Sequence, residues 1–168
     1  MTKLTILAGA AAALAFLAPG AAFGQSAGQA YVGLGASHTR DDATGADMTG
    51  VQGRIGVQAT PMIGIEAEAA TGLGNDDSGK LDGQYGVYGV ARAPVNRNFD
   101  VFARAGVSRV NEFGRGAHAG QTYRDDALGY GAGAQVNLNE RVGLRADWTR
   151  HDGDREIDTV GASIVRKF

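Results

Sequence analysis

Residues 51–69 read VQGRIGVQATPMIGIEAEA, and this stretch decides the fold. Apolar and polar side chains alternate within it, both before and after Thr60-Pro61-Met62. The apolar set consists of Val51, Ile55, Val57, Ala59, Ile63, Ile65, Ala67 and Ala69. Alternation with a period of two puts one kind of side chain on each face of a β-strand. The stretch therefore predicts two strands, each with one apolar and one polar face, joined by a tight turn.

The same period predicts six further strands. They are Tyr31 to His38, Gly83 to Ala93, Phe99 to Arg109, Ala127 to Leu138, Val142 to His151 and Ile157 to Phe168. Short connections (60–62, 94–98, 139–141) alternate with long or charged ones (39–49, 74–82, 110–126, 152–156). Strands of about ten residues suit a tilted membrane crossing. We predict an all-β, eight-stranded antiparallel up-and-down transmembrane β-barrel, with Pro61 and Pro94 in turns and Gly50 in a tolerant loop.

The N-terminal segment differs in composition from the rest of the chain. Lys3 is its only charge, Leu4 to Ala18 is apolar and rich in alanine, and the small-x-small sequence Ala22-Phe23-Gly24 precedes Gln25. This layout is typical of a secretory signal peptide, and the apolar run is too short for a membrane-spanning helix. We predict a cleaved signal peptide at residues 1–24 and a β-barrel domain at residues 25–168.

Alternation alone leaves open whether the apolar face points into a soluble, ligand-holding barrel or outward to lipid. The polar face carries mid-strand charges and many glycines, which suit a crowded interior. The aromatic residues of the apolar face lie near strand ends, as in the interfacial belts of membrane barrels. These lipid-interface aromatics are Tyr85, Tyr130 and Trp148 toward the long loops and Phe99 and Phe168 toward the short turns. We predict that the apolar face points outward.

Six charged residues of the polar face form the predicted interior charge network. They are Arg54, Glu66, Glu68, Arg104, Arg145 and Asp147. Their three positive and three negative charges can neutralise one another in a barrel whose eight strands leave room for side chains only. We interpret them as an ion-paired plug, and a gate on a narrow polar path is the alternative.

The last two strands resemble a known family. The segment Gly143 to Asp152, GLRADWTRHD, followed by Ile157 to Phe168, IDTVGASIVRKF, is similar to the closing hairpin and C-terminal aromatic of the OmpA-type outer-membrane β-barrel domains. Arg166 departs from the family pattern, which usually has an apolar or aromatic residue there. The resemblance implies an integral protein of the Gram-negative outer membrane, exported through the periplasm. Its implied partners are outer-membrane lipids, lipopolysaccharide and, through Phe168, the barrel-assembly machinery.

The sequence offers little support for catalysis. The chain has no cysteine and a formal charge of −2, which excludes disulfides and implies no nucleic-acid surface. His38, His118 and His151 map to the long-loop end, where we expect solvated side chains without mutual contact rather than a metal site. In outer-membrane lipid A deacylases a histidine precedes the serine by two positions, and no histidine here has that spacing. We therefore predict no enzyme, no metal and no cofactor.

The expected function is that of a structural barrel whose surface loops maintain the envelope or contact an unidentified ligand outside. A narrow porin-like channel for ions or small solutes is the first alternative. An outer-membrane lipid-modifying enzyme is the second.

Overall fold

The computed structural model describes residues 28–41, 45, 47–73, 80–113 and 122–168. Its strands are β1 (Ala30–Asp41), β2 (Asp47–Gln58), β3 (Ile63–Gly72), β4 (Lys80–Pro94), β5 (Phe99–Phe113), β6 (Thr122–Asn137), β7 (Val142–Asp152) and β8 (Glu156–Lys167). Each strand pairs antiparallel with the next, and β1 pairs with β8 to close the barrel. The predicted fold class is thus confirmed. The predicted signal peptide lies outside the described residues.

Successive side chains point alternately into and out of the barrel. The outward set is apolar and exposed, with Leu34 71% and Ile65 63% exposed, whereas the inward set is mostly polar and buried. A soluble barrel has the opposite distribution, because water would make so large an apolar exterior prone to association. The apolar face therefore points outward, as predicted. Among the described residues, no helix is long and apolar enough to cross a membrane.

Several strands run further toward the long-loop end than the sequence predicts. β5 and β6 stay paired up to Phe113 and Thr122, so much of the predicted 110–126 loop is a β-ladder. β1 and β2 likewise stay paired up to Arg40 and Asp47. The hydrophobic period ends where the apolar band ends, but backbone hydrogen bonds need no apolar face and continue beyond it. Period alone therefore underestimates these strands.

Two residues assigned to connections belong to strands instead. Gly50 is an inward, buried residue of β2, and a Cβ there would overlap the carbonyl oxygen of Thr71 on β3. The prediction that arginine is tolerated at Gly50 is therefore wrong. Pro94 is the last residue of β4, where it faces Asp100 in the register. A strand end accepts proline because the following residue, Val95, supplies the next donor, to Phe99 O at 2.9 Å.

Two of the three short turns, 60–62 and 139–141, are closed by a polar side chain at their first position. Thr60 Oγ1 accepts from the N–H groups of Met62 (3.3 Å) and Ile63 (2.9 Å). Asn139 Oδ1 accepts from the N–H groups of Arg141 (2.9 Å) and Val142 (2.8 Å). Such side-chain caps replace backbone bonds in tight turns and fix the strand register. The β2–β3 and β6–β7 pairs therefore each meet in one alignment at this end.

Candidate functional site: the interior charge network

The six charged residues of the predicted network all point into the lumen. Arg54 comes from β2, Glu66 and Glu68 from β3, Arg104 from β5, and Arg145 and Asp147 from β7. Inward glycines make room for their long side chains. Gly33 faces Arg54 across β1 and β2, and a Cβ there would lie 2.7 Å from Arg54 Cγ. The glycine content of the inner face thus admits arginine into a narrow barrel.

Arg104 lies at the centre of the network. Its Nη1 atom lies 3.0 Å from Glu66 Oε1 and 2.8 Å from Glu68 Oε2. Its Nη2 atom lies 3.0 Å from Asp147 Oδ2. Thr149 Oγ1 accepts from Arg104 Nε at 2.8 Å and also from Nη2. One guanidinium therefore contacts all three carboxylates of the network.

Arg145 and Arg54 complete the neutralisation. Arg145 forms a two-point pair with Glu66 at 2.6 and 3.1 Å, and its Nε lies 3.4 Å from Asp147 Oδ1. Arg54 lies 3.1 Å from Glu68 and 2.9 Å from Asp147, in ion pairs whose angles do not meet hydrogen-bond geometry. Glu66 and Asp147 are thus each contacted by all three arginines. The network has no net charge, which offsets part of the cost of burying its members.

Aromatic residues that the sequence analysis did not include extend the network. Tyr31 donates from its hydroxyl to Glu66 Oε2 at 2.7 Å. The Arg104 guanidinium lies 4.6 Å from the ring centre of Tyr88, and that of Arg145 lies 3.8 Å from the ring centre of Phe102. Such stacking favours a cation in a desolvated site. Strand parity could have found these residues, since all three share the inward face with the charges.

The histidines do not share one environment, and the expectation for His151 is wrong. His151 lies inside the barrel on β7 and is fully buried, with its Nδ1 2.8 Å from Ser108 Oγ and its Nε2 2.7 Å from Gln84 Nε2. Its parity on β7 matches that of Arg145 and Asp147, which places it inward. His38 is exposed, as expected, and lies near Thr49 and Asp47. His118 lies outside the described residues.

The Ser108–His151 contact joins residues of β5 and β7 that linear spacing cannot relate. His151 Nδ1 lies 2.8 Å from Ser108 Oγ, and its Nε2 lies 2.7 Å from the side-chain amide of Gln84, where a catalytic triad has a carboxylate. Ser108 is only 3% exposed. Within the described residues, no group of three or more metal-ligating side chains forms a metal site.

The predicted interface aromatics lie on the outer face of the barrel. Tyr130 and Trp148 meet edge to face with ring centres 6.5 Å apart, and Trp148 Nε1 donates to Asp158 at 3.1 Å. Tyr85 is exposed on β4, toward the same long-loop end. Phe99 begins β5 at the short-turn end, where Phe168 is 69% exposed. There the Arg166 guanidinium lies 5.5 Å from the Phe168 ring centre.

Comparison with solved structures finds the same fold in outer-membrane proteins. The chain is 17% identical to the attachment invasion locus protein Ail of Yersinia pestis, solved with the heparin analogue sucrose octasulfate (TM-score 0.65; 84% of this chain and 99% of Ail covered). It is 17% identical to the N-terminal β-barrel domain of Pseudomonas aeruginosa OprF (TM-score 0.66; 84% and 99%). It is 14% identical to Neisserial surface protein A (TM-score 0.55; 83% and 97%).

No curated protein matches the chain. The family model for the outer membrane protein beta-barrel domain matches residues 8–168, nearly the whole sequence. The fold, the apolar exterior and this match agree, and the chain belongs to the family of outer-membrane β-barrel domains.

Proposed function

We propose that this protein is a non-catalytic structural barrel of the bacterial outer membrane, and that its charge network closes the lumen. The observation that carries the proposal is the burial of all six charges: Glu66 is 0% exposed, and Glu68, the most accessible, is 7% exposed. A hydrated ion crossing this level would have to separate ion pairs that lie between strands on opposite sides of a narrow lumen. The network therefore holds together strands on opposite sides of the barrel.

Planar-bilayer recording tests the closed lumen. We expect refolded protein to show no steady conductance in a bilayer, whereas pore-forming controls of known size conduct under the same conditions. Steady, sizeable conductance that does not rise in Arg104→Met would overturn the plug and support a narrow porin-like channel. The matched control is Arg109→Met, which removes an arginine from the outer face of the same strand.

The proposed orientation has the short turns and both chain termini of the barrel domain in the periplasm and the long loops outside. It supposes export by the signal peptide at residues 1–24, with cleavage after Gly24. Phe168 is exposed at the short-turn end, where the barrel-assembly machinery would read it. Lipids and lipopolysaccharide would contact the outer face, and the interface aromatics Tyr85, Tyr130 and Trp148 would lie at its outer boundary.

The long-loop end is acidic, because its aspartates and glutamates outnumber its basic residues. This charge does not suit a polyanion such as the heparin analogue bound to Ail, so we do not extend that ligand to this protein. The absence of catalysis is likewise part of the proposal. It is supported by the burial of Ser108 and His151 and by the amide of Gln84, which stands beside His151 Nε2 where a triad has a carboxylate.

A further inference from the structure

The short-turn end of the barrel contains an open vestibule of about 430 Å³, separate from the long loops. Its polar wall includes Tyr31, Arg92, Asp100, Gln135, Asn137 and Lys167. Tyr31 is bonded to Glu66, so the inner limit of the vestibule is the charge network. The vestibule is therefore a polar cavity that reaches the charge network at its inner end and is accessible from the short turns.

Two cationic side chains and one carboxylate line this vestibule. Arg92 Nη1 lies 3.3 Å from Asp100 Oδ2, which also accepts from Asn137 Nδ2 at 3.0 Å. Lys167 Nζ donates to Asn137 Oδ1 at 2.8 Å, a neutral acceptor. Among the described residues, therefore, Asp100 is the one acidic side chain of the wall and is shared between a guanidinium and an amide. The wall of the vestibule therefore carries a net positive charge.

The donors of Arg92 and Lys167 are only partly used. Arg92 Nε reaches the Gln58 amide oxygen at 3.1 Å when that amide is oriented to satisfy both of its polar atoms. Within the described part of the chain, Arg92 Nη2 and two of the three ammonium donors of Lys167 have no protein acceptor. Arg92 is also nearly buried, with 9% exposure, so its charge is poorly screened by water. Such a pair of donors is suited to an anion with several acceptor oxygens.

The surroundings of the vestibule also favour an anionic ligand. Arg97, Arg141 and Arg166 are exposed in or beside the short turns and the last strand, so this end of the molecule attracts anions. A cation would meet two positive side chains, and an apolar molecule would have to desolvate the amides and charges of the wall. We propose that the vestibule is a binding site for a phosphate group, held by Arg92 and Lys167. This inference does not depend on whether the lumen is closed.

The phosphate could belong to a soluble compound or to a phospholipid headgroup, and one experiment can separate them. Refolded protein in dodecyl maltoside, which carries no phosphate, is titrated with inorganic phosphate and, as a control for ionic strength, with chloride. NMR of the Arg Nε–H groups and of the Asn and Gln side-chain amides reports binding at Arg92, Gln135 and Asn137. We expect saturable shifts with phosphate and none with chloride.

Variants identify the side chains that hold the ligand. Arg92→Gln and Lys167→Gln should each weaken phosphate binding by about tenfold, as expected for the loss of one charge-assisted hydrogen bond. Arg97→Gln, which removes a cation from the same end of the barrel but outside the vestibule, should change the affinity for phosphate by less than about twofold. Gel mobility before and after boiling shows that each variant is folded. Absence of saturable shifts, or equal effects of all three variants, would overturn the proposal.

To test a phospholipid headgroup as the ligand, spectra of the protein in dodecyl maltoside are compared with spectra of the protein in phosphatidylglycerol nanodiscs. If a headgroup is the ligand, the Arg92 signal should already be shifted in the nanodiscs, and added phosphate should have little further effect. If the ligand is soluble, the nanodisc spectrum should match that in maltoside until phosphate is added. Either result supports the site and assigns the source of the phosphate.

Discussion

Replacing Arg104 with methionine would remove the central cation of the lumen while keeping a side chain of similar length. The change deletes ion pairs to Glu66, Glu68 and Asp147 and the bonds to Thr149. Three carboxylates would then face only Arg54 and Arg145. Because the network is neutral in the unmutated protein, the variant has one uncompensated negative charge inside the barrel.

The magnitude follows from what remains around each carboxylate. Removing one partner of a buried ion pair costs about 3 to 5 kcal/mol in a dry core. Here Glu66 and Asp147 keep contacts to both remaining arginines, whereas Glu68 keeps only Arg54, at 3.1 Å. This partial compensation lowers the expected loss, and water entering the polar lumen can lower it further. We therefore expect the free energy of unfolding to fall by about 1 to 4 kcal/mol.

Urea unfolding from lipid vesicles measures this loss, with fluorescence of Trp148, the single tryptophan of the chain, as the readout. The matched control is Arg109→Met on the same strand, where the pair with Asp126 at 2.6 Å is much more accessible. Exposed pairs contribute about 0 to 1 kcal/mol, so this variant should be nearly as stable as the unmutated protein. Equal losses in the two variants would refute the view that the network stabilises the barrel.

Two further predictions concern the outer face and the N-terminus. Ala103→Arg places a charge on the apolar exterior of β5 and should cost about 2 to 4 kcal/mol in a bilayer, whereas Glu140→Arg in an exposed short turn should be nearly neutral. Urea titration in vesicles compares them, and equal tolerance would contradict a lipid-facing Ala103. Mass spectrometry of protein isolated from membranes should give an N-terminus at Gln25, and a chain that retains Met1 would contradict the signal peptide.

The candidate site illustrates which parts of a barrel interior can be predicted. Strand parity gave the six charges and their inward direction, because the side-chain period of a strand is fixed by its backbone. It could not give the pairing of Arg145 with Glu66, which joins β7 to β3 across the lumen. That contact depends on strand stagger and on barrel closure, neither of which is local. The enclosed Ser108–His151 contact depends on the same two properties.

Other predictions were wrong where the hydrophobic pattern ends but the backbone pairing between strands continues. Gly50 and the residues beyond Arg109 show no apolar alternation, so the sequence predicts loops there. The structure includes these residues in paired strands. Alternation records the two environments of the strand, and it ends when both faces are polar. Hydrogen bonding between neighbouring strands continues regardless, because each antiparallel partner supplies the next donor and acceptor.

By itself, the sequence determined the eight strands, their order, the order of short and long connections and the face that points outward. The strands and connections follow from side chains that repeat every two residues and from turn residues such as Thr60 and Asn139, which act locally. The outward direction of the apolar face follows from the mid-strand charges, the glycines and the strand-end aromatics. Only the tertiary structure decided which charges meet, that Arg104 contacts all three carboxylates, and that Arg92 and Lys167 line one vestibule. The reason is that closing β1 on β8 sets distances across the lumen between residues far apart in the chain.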